Sequence, residues 1–216
     1  MADLKTFLKE NVEEYLFEDL NTMKWVSLPP GKTTGALGYP ILMATFAGIE
    51  LLGTLVSPTT FSGTVGGQYF YNFWKDYLYK GSPQGDMGAL IYKLTRNGLM
   101  HLYAVKGSIT VTRNEPNKHL KYDTYCDVIY IDSIQLANDL IHVYKNDIQP
   151  LITKTGGTIN GFTMADRLKE IESDYNNKMS NIALNLGRMA LPYTPSPTPV
   201  AQSTLSPPSS GSILFP

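Results

Sequence analysis

The spacing of apolar residues predicts a helical bundle in the first half of the chain. Between Asp3 and Lys24, apolar residues recur every three or four positions among charged ones, which predicts an amphipathic surface helix. Residues 39–55 are apolar on nearly every side and should form a central helix. An aromatic-rich helix over 68–79, read as a packed core face, and a fourth helix over 86–104 complete the predicted bundle.

After residue 107, apolar residues recur at every second position instead of every third or fourth. Residues 108–112 and 127–131 alternate and are rich in β-branched side chains, so they are expected to pair as a small β-hairpin inserted at about 107–131. Asp132 or Ser133 can cap a further helix over 134–144. Pro150 and the glycine pair at 156–157 mark a boundary. The predicted fold class is therefore mainly α.

A long helix is expected near the C-terminus, because Thr163 and Asp166 have the spacing of a capping box. Its apolar stripe recurs every three or four positions and consists of Leu168, Ile171, Tyr175, Met179, Ile182, Leu186 and Met189. The stripe can pack on the bundle or pair with a second copy, and the periodicity supports both equally. The expected organisation is a bundle over 1–150, this helix over 158–190, and a Pro/Ser-rich disordered tail over 191–216.

Composition narrows the classes of function. The formal net charge of -1 argues against a general, sequence-independent binder of nucleic acid, because such affinity needs an excess of Lys and Arg. A local basic groove remains compatible with this charge. Cys126 is the single cysteine, which rules out an intrachain disulfide and fits a reducing, cytoplasmic setting. Its position beside a predicted strand favours a buried structural thiol.

Residues 37–56 are long enough to span a bilayer, but Glu50 lies among them. A carboxylate inside hydrocarbon is costly, whereas a helix buried in a protein core accounts for the same residues. We therefore expect a core helix and no contact with a membrane.

Metal and nucleotide sites find little support in the sequence. His101, His119 and His142 are scattered, without the spacing of a metal-binding pair, so no metal and no cofactor are expected. Residues 31–33 read Gly-Lys-Thr, but Val26 stands where a phosphate-binding loop needs its first glycine. A P-loop is therefore excluded.

Residues 92–101 form the one segment whose side chains suggest catalysis. On a helix, Asn97 and His101 are four residues apart and share a face, and the long side chain of Arg96 can reach its flank. An Arg supplies a fixed charge and a fork for phosphate, while a neutral His accepts a proton near physiological pH. These groups suffice for metal-free RNA cleavage. The alternative is the polar edge of an ordinary helix, with Arg96 in a salt bridge and His101 hydrogen-bonded.

The order Arg96-Asn97, three residues, then His101, late in a helical bundle, resembles the HEPN superfamily. The sequences around Glu50, Trp74 and residues 92–101 are also similar to a group of uncharacterised bacterial proteins, and the resemblance covers roughly residues 1–146. It implies a HEPN-like bundle, to which the hairpin and the long helix are additions.

The resemblance also implies roles for individual residues. Arg96 would bind or polarise the phosphate, His101 would transfer a proton and Asn97 would orient the reacting groups. Glu50 and Tyr92 are possible supporting residues. HEPN proteins are commonly metal-independent ribonucleases that dimerise so that two motifs form one cleft.

The expected function is thus a metal-independent endoribonuclease acting as a homodimer on RNA. Toxin–antitoxin or antiphage defence is the implied context, with an antitoxin or another defence protein as a possible partner. The alternative function is a non-catalytic helical module that recruits a partner protein through the C-terminal helix and tail.

Overall fold

Six helices and two small sheets make up the part of the chain that the structure describes, which confirms the mainly α fold. The computed structural model describes residues 3–27, 30, 37–96, 107–159 and 161–186, except for the side chains of Arg96 and of residues 181–186. Residues 31–33, 97–106 and 187–216, which include the predicted tail, lie outside this description. Contacts between residues divide the chain after Asn176 into two units.

Most of the helices contain segments of different winding that follow one another without a break. The helices are α1 (Leu4–Phe7, Leu8–Phe17 and Glu18–Trp25), α2 (Gly38–Val56), α3 (Gly66–Phe73 and Trp74–Leu78), α4 (Gly88–Ile91 and Tyr92–Arg96, after a 3-10 turn at Pro83–Met87), α5 (Ser133–Val143, Tyr144–Ile148 and Gln149–Thr155) and α6 (Met164–Leu186). The second segment of α1, α3, α4 and α5 is π-helical. π-helical turns are rare in proteins as a whole, and those that occur are often found near functional sites.

Helix α2 is the central helix, as its apolar sequence predicts. Side chains along its whole length are buried in the core. They include Ile41, Leu42, Phe46, Ile49, Leu52 and Leu55. Gly48 lets two other helices approach, because a Cβ there would lie 2.6 Å from Leu16 of α1 and 2.8 Å from Leu140 of α5. By length and composition α2 could also cross a membrane, but 61% of its apolar window is buried inside the protein.

The aromatic side chains of α3 belong to the core, which confirms their interpretation as a packing face. Phe70, Phe73 and Trp74 are completely buried. The indole Nε1 of Trp74 donates a hydrogen bond to the Gln84 carbonyl oxygen at 2.9 Å, so the one polar atom of this ring is satisfied. Gly88 at the start of α4 packs against the same ring.

The predicted strands pair with each other, but not as a hairpin. Strands β1 (Ile109–Thr112) and β3 (Val128–Asp132) are parallel, and β2 (Tyr122–Asp123) lies antiparallel on the other side of β3. The prediction that the strands at 108–112 and 127–131 form a hairpin is therefore wrong. The hairpin in this region is formed by β2 and β3. After β1 the chain returns through residues 113–121 to the far edge, as a parallel pair requires.

Cys126 lies in the turn between β2 and β3 and is exposed, so the prediction of a buried thiol is wrong. The turn is held by Asp123, whose Oδ1 accepts hydrogen bonds from the backbone N–H groups of Tyr125 and Cys126 at 2.9 and 3.1 Å. A tight turn of this kind directs its side chains toward solvent.

Helix α5 begins at a capping aspartate, as predicted. Asp132 Oδ1 accepts from the backbone N–H of Gln135 at 2.9 Å, and Oδ2 accepts from the backbone N–H of Glu115 at 2.6 Å. The helix continues beyond the predicted boundary at Pro150, which stands in the first turn of its last segment, where proline is tolerated. Gly156, with φ of 61°, ends it.

Helix α6 begins as the capping-box spacing predicts, because Thr163 Oγ1 accepts from the backbone N–H of Asp166 at 3.1 Å. Just before it, β4 (Thr158–Ile159) and β5 (Phe162–Thr163) form a two-stranded antiparallel sheet. Leu168 is buried in the core, whereas Tyr175 and Met179 are 61% and 59% exposed. The apolar stripe therefore packs on the bundle at its beginning, and its later described members face solvent.

A buried group of hydrogen bonds joins the sheet to the bundle around His119. Its Nδ1 accepts from the backbone N–H of Asp132 at 3.0 Å, so the neutral ring carries its proton on Nε2, which lies 3.0 Å from the Tyr79 hydroxyl. Tyr79 in turn donates to Asp139 Oδ2 at 2.8 Å. Burial lowers the pKa of His119, opposed by the charges of Asp139 and Asp132. The arrangement fits the neutral ring and leaves no place for a second proton.

This arrangement predicts a loss of stability in mild acid. Because the pKa of His119 is lower in the folded chain than its ordinary value of 6.5, the unfolded chain takes up a proton first, and the free energy of unfolding falls as pH drops below about 6.5. His119→Gln keeps an acceptor and a donor without a titrating ring, so it should flatten this slope. Denaturant unfolding between about pH 7.5 and 5.5 measures the effect.

The exposed His142 provides the matched control. His142→Gln should retain the wild-type slope. An unchanged slope in His119→Gln, or an equal flattening in both variants, would contradict the assignment.

Candidate functional site

Glu50 of α2 and Tyr92 of α4 lie together in the structure. The Tyr92 hydroxyl donates to Glu50 Oε2 at 3.4 Å, and the Tyr92 ring packs on Phe70 with their centroids 5.0 Å apart. Gly67 of α3 faces the same ring, and a Cβ there would lie 2.9 Å from it. Tyr92 thus ties the π-helical turn Tyr92–Arg96 to both α2 and α3.

This turn leads directly into the Arg–Asn–His segment. The backbone of Arg96 ends the described part of α4, but the Arg96 side chain, Asn97 and His101 lie outside the described residues. Of the five residues singled out from the sequence, the structure therefore brings together Glu50 and Tyr92. Thr95, just before Arg96, is fully buried, and its hydroxyl has no hydrogen-bond partner within the described part of the chain.

A cavity of about 420 Å³ opens on another side of Glu50. Its walls come from α2, α6, the first turns of α1 and α3, and the loop before α3. Most of the lining side chains are apolar or aromatic, with Met43, Phe46, Leu51, Phe61, Leu168 and Ile171 among them. The volume lies within the range typical of small-molecule sites, about 300–1,000 Å³.

Two carboxyl groups line this cavity, those of Glu50 and Glu172. Glu172 Oε2 is shielded from solvent and has no hydrogen-bond partner among the described residues. Glu50 Oε1 lies against Gly66 at the start of α3 so closely that a Cβ there would overlap it. None of the described lining residues is basic.

Arg167 holds α6 against the loop that forms one wall of the cavity. Its side chain is only 4% exposed, and Nη2 donates to the Ser57 carbonyl oxygen at 3.0 Å. Nη1 donates to Glu170 Oε2, which also accepts from the backbone N–H of Phe61 at 2.9 Å. One buried guanidinium and one carboxylate therefore fix both ends of the loop from Ser57 to Phe61.

The two histidines within the described residues belong to different groups of side chains. His119 belongs to the buried group with Tyr79, His142 lies exposed beside Asn146, and His101 is outside the described residues. Within the described ranges, no group of three or more His, Cys, Asp or Glu side chains could hold a metal ion.

Glu172, which lines the cavity, and Arg167, which holds one of its walls, were not predicted from the sequence as site residues. A signal for Glu172 was present, because it lies four residues after Leu168 and three before Tyr175, so that an acid interrupts the apolar face of α6. Arg167 has no comparable signal, since its partner, the carbonyl oxygen of Ser57, is 110 residues away in sequence.

Comparison of the chain with protein-family models, with curated proteins and with solved structures gives no match.

The role of Arg167 predicts a specific cost of its removal. Arg167→Met keeps the length of the apolar stem but loses the charged hydrogen bonds to Ser57 and Glu170, so we expect a loss of about 2 kcal/mol in the free energy of unfolding. Lys169→Met, which removes an exposed pair with Asp166, should cost less than about 1 kcal/mol. Equal losses in urea unfolding would show that Arg167 is not the link described.

Proposed function

We propose that the chain is a HEPN-like, metal-independent endoribonuclease that acts as a homodimer in bacterial toxin–antitoxin or antiphage defence. The proposal starts from the Arg96-Asn97 and His101 spacing in the sequence. The observation that best supports it is the contact between Tyr92 and Glu50 at 3.4 Å, because it anchors the helix that leads into the motif to the central helix. Active-site side chains need such support from rigid elements.

The chemistry needs no metal. His101 as a general base takes the proton of an RNA 2′-hydroxyl, whose oxygen attacks the adjacent phosphorus while the bond to the 5′-oxygen breaks. The leaving 5′-oxygen takes a proton from water, so the products are a 2′,3′-cyclic phosphate and a 5′-hydroxyl. Arg96 neutralises charge on the phosphate, and Asn97 orients the imidazole or the substrate. In a dimer, two copies of the motif would line one cleft.

The proposal predicts RNA cleavage in the presence of a chelator. Purified protein with EDTA should convert a labelled single-stranded RNA into fragments ending in a cyclic phosphate. Arg96→Ala or His101→Ala should lower the rate by about a hundredfold or more, while circular dichroism shows that the fold survives.

Two exposed residues provide controls for this experiment. Lys93→Ala on the same helix and His142→Ala on α5 remove a basic side chain or an imidazole outside the motif, so both should cleave at the wild-type rate. Chelator-sensitive cleavage, or undiminished cleavage in both motif variants, would contradict the proposal.

A second candidate, a non-catalytic interaction module, is favoured by the exposure of Tyr175 and Met179 on α6. Large apolar side chains repeated four residues apart on one helix face are typical of a surface that pairs with another helix. On this proposal α6 associates with a second copy of itself, and the bundle serves as a scaffold.

This candidate predicts that association depends on one face of α6. Met179→Glu should reduce the mass measured by light scattering from dimer to monomer. Asn177→Glu, also exposed and about 200° away around the helix, should leave it unchanged. A wild-type chain that remains monomeric at every concentration rejects self-association through α6, and RNA cleavage with intact motif dependence rejects the non-catalytic reading.

A further inference from the structure

The cavity beside Glu50 has a wall rich in aromatic rings. The described side chains that line it include those of Phe7, Phe46, Phe61, Tyr69 and Tyr175. Phe61 stacks on Tyr69 with the ring centroids 6.3 Å apart and an angle of 11° between the planes, so these two lining rings support each other. Aromatic rings bind other rings by offset stacking and edge-to-face contacts, which add to the gain from burying apolar surface. The wall therefore fits a ligand that is itself aromatic.

Two hydroxyl groups that line the cavity already donate their protons within the protein. Thr54 Oγ1 donates to the Glu50 carbonyl oxygen at 2.7 Å. The Tyr69 hydroxyl donates to the Thr60 carbonyl oxygen at 3.3 Å and accepts from the backbone N–H of Ser62 at 2.8 Å. A polar ligand group would leave water without a donor from either hydroxyl, whereas apolar surface gains by leaving water. These bonds favour a ligand whose buried part is apolar and uncharged.

Contacts at two sides hold the walls of the cavity in place. The hydrogen bonds to the Ser57 carbonyl oxygen and the Phe61 backbone N–H tie the loop before α3 to the beginning of α6. On the other side, α2 and α3 touch at Gly53, where a Cβ would lie 2.3 Å from the Tyr69 carbonyl oxygen. A site whose walls are already positioned loses little conformational freedom when a ligand enters.

The size of the cavity limits the size of its occupant. An apolar cavity of about 150 Å³ takes up benzene, and this one has a volume of about 420 Å³. The space is enough for about two or three linked rings. Because walls from α1, α2, α3, α6 and a loop surround it, the cavity encloses a small molecule on several sides, as ligand pockets do.

We propose that this cavity binds a small, uncharged aromatic molecule, which packs against the rings of Phe46, Phe61 and Tyr69. The proposal goes beyond the ribonuclease chemistry and does not depend on it. Binding is measured without RNA, so its failure leaves the ribonuclease proposal untouched.

The fluorescent probe N-phenyl-1-naphthylamine tests the proposal directly. It is aromatic throughout, carries no charge at neutral pH and emits strongly only in apolar surroundings. Titration of the full chain should show saturable binding of one probe per chain, with a dissociation constant below about 20 μM. Bound probe should also raise the midpoint of thermal unfolding, because it binds the folded chain alone.

Competition with this probe defines the class of ligand. 1-Naphthol and decahydro-1-naphthol share a carbon skeleton and a hydroxyl group, but only the first is aromatic. 1-Naphthol should displace the probe at a concentration about fivefold lower or less. 1-Naphthylmethylamine and 1-naphthoate, which carry a positive and a negative charge at neutral pH, should both displace it less well than 1-naphthol.

Two variants place the binding in the cavity. Phe61→Ala removes one ring of the wall and keeps the backbone N–H that bonds to Glu170, so it should weaken the probe about tenfold. Ala47→Phe fills space from an exposed position on the rim and should also weaken it. Trp25→Ala is the matched control, because it removes an aromatic ring that is 86% exposed on α1, outside the cavity wall, and should leave binding unchanged. Circular dichroism checks that each variant folds.

Four results would overturn the proposal. The first is the absence of saturable probe binding up to about 20 μM. The second is displacement by decahydro-1-naphthol at the same concentration as by 1-naphthol, and the third is stronger displacement by either charged analogue. The fourth is undiminished binding to folded Phe61→Ala and Ala47→Phe, or a loss in Trp25→Ala equal to that in Phe61→Ala, which would indicate adsorption to exposed rings.

Discussion

Helices α2 and α3 approach so closely at Gly53 that any side chain there would overlap the carbonyl oxygen of Tyr69. This backbone-to-backbone contact places the first turn of α3 beside the turn of α2 that carries Glu50. Two further glycines, Gly66 and Gly67, then bring the chain against the Glu50 carboxylate and the Tyr92 ring. The candidate site and the cavity therefore depend on three glycines at one helix crossing, where a larger residue would force the helices apart.

The second half of the fold is organised by polar groups. Asp132 ends β3, caps α5 and accepts from the Glu115 backbone, while its own N–H donates to His119. A buried carboxylate with this many partners sets the direction in which the chain enters α5. The Tyr79 hydroxyl joins this group to α3, so the small sheet is fixed to the bundle by directed hydrogen bonds as well as by apolar packing.

The sequence predicted the helices well because their signals are local. Apolar residues every three or four positions placed α1, α2, α3 and α6 within a few residues, and Asp132 and Thr163 marked helix starts through their own short-range hydrogen bonds. The aromatic residues of α3 were correctly assigned to the core for the same reason. Helix α5 also begins where it was predicted, but it continues past Pro150, because proline is tolerated in the first turn of its last segment.

What the sequence did not predict depends on contacts between distant segments. Strands β1 and β3 pair as expected, but their parallel direction follows from the return path through residues 113–121, which carries no periodic signal. The exposure of Cys126 depends on the tight turn that Asp123 organises. The contact between Glu50 and Tyr92 joins two residues that are 42 positions apart in the sequence. The hydrogen bond from Arg167 to Ser57 spans 110 positions.

The exposed turn that carries Cys126 also gives the chain a chemical handle. It is the single cysteine among all 216 residues, and its backbone N–H is bonded within the turn. A maleimide dye or a nitroxide attached there would be held at one defined point on the surface, and Cys126 does not line the described wall of the cavity. In an assembly of two copies, each copy would carry one such reporter, so a single distance between labels would describe how the two chains are arranged without any engineered cysteine.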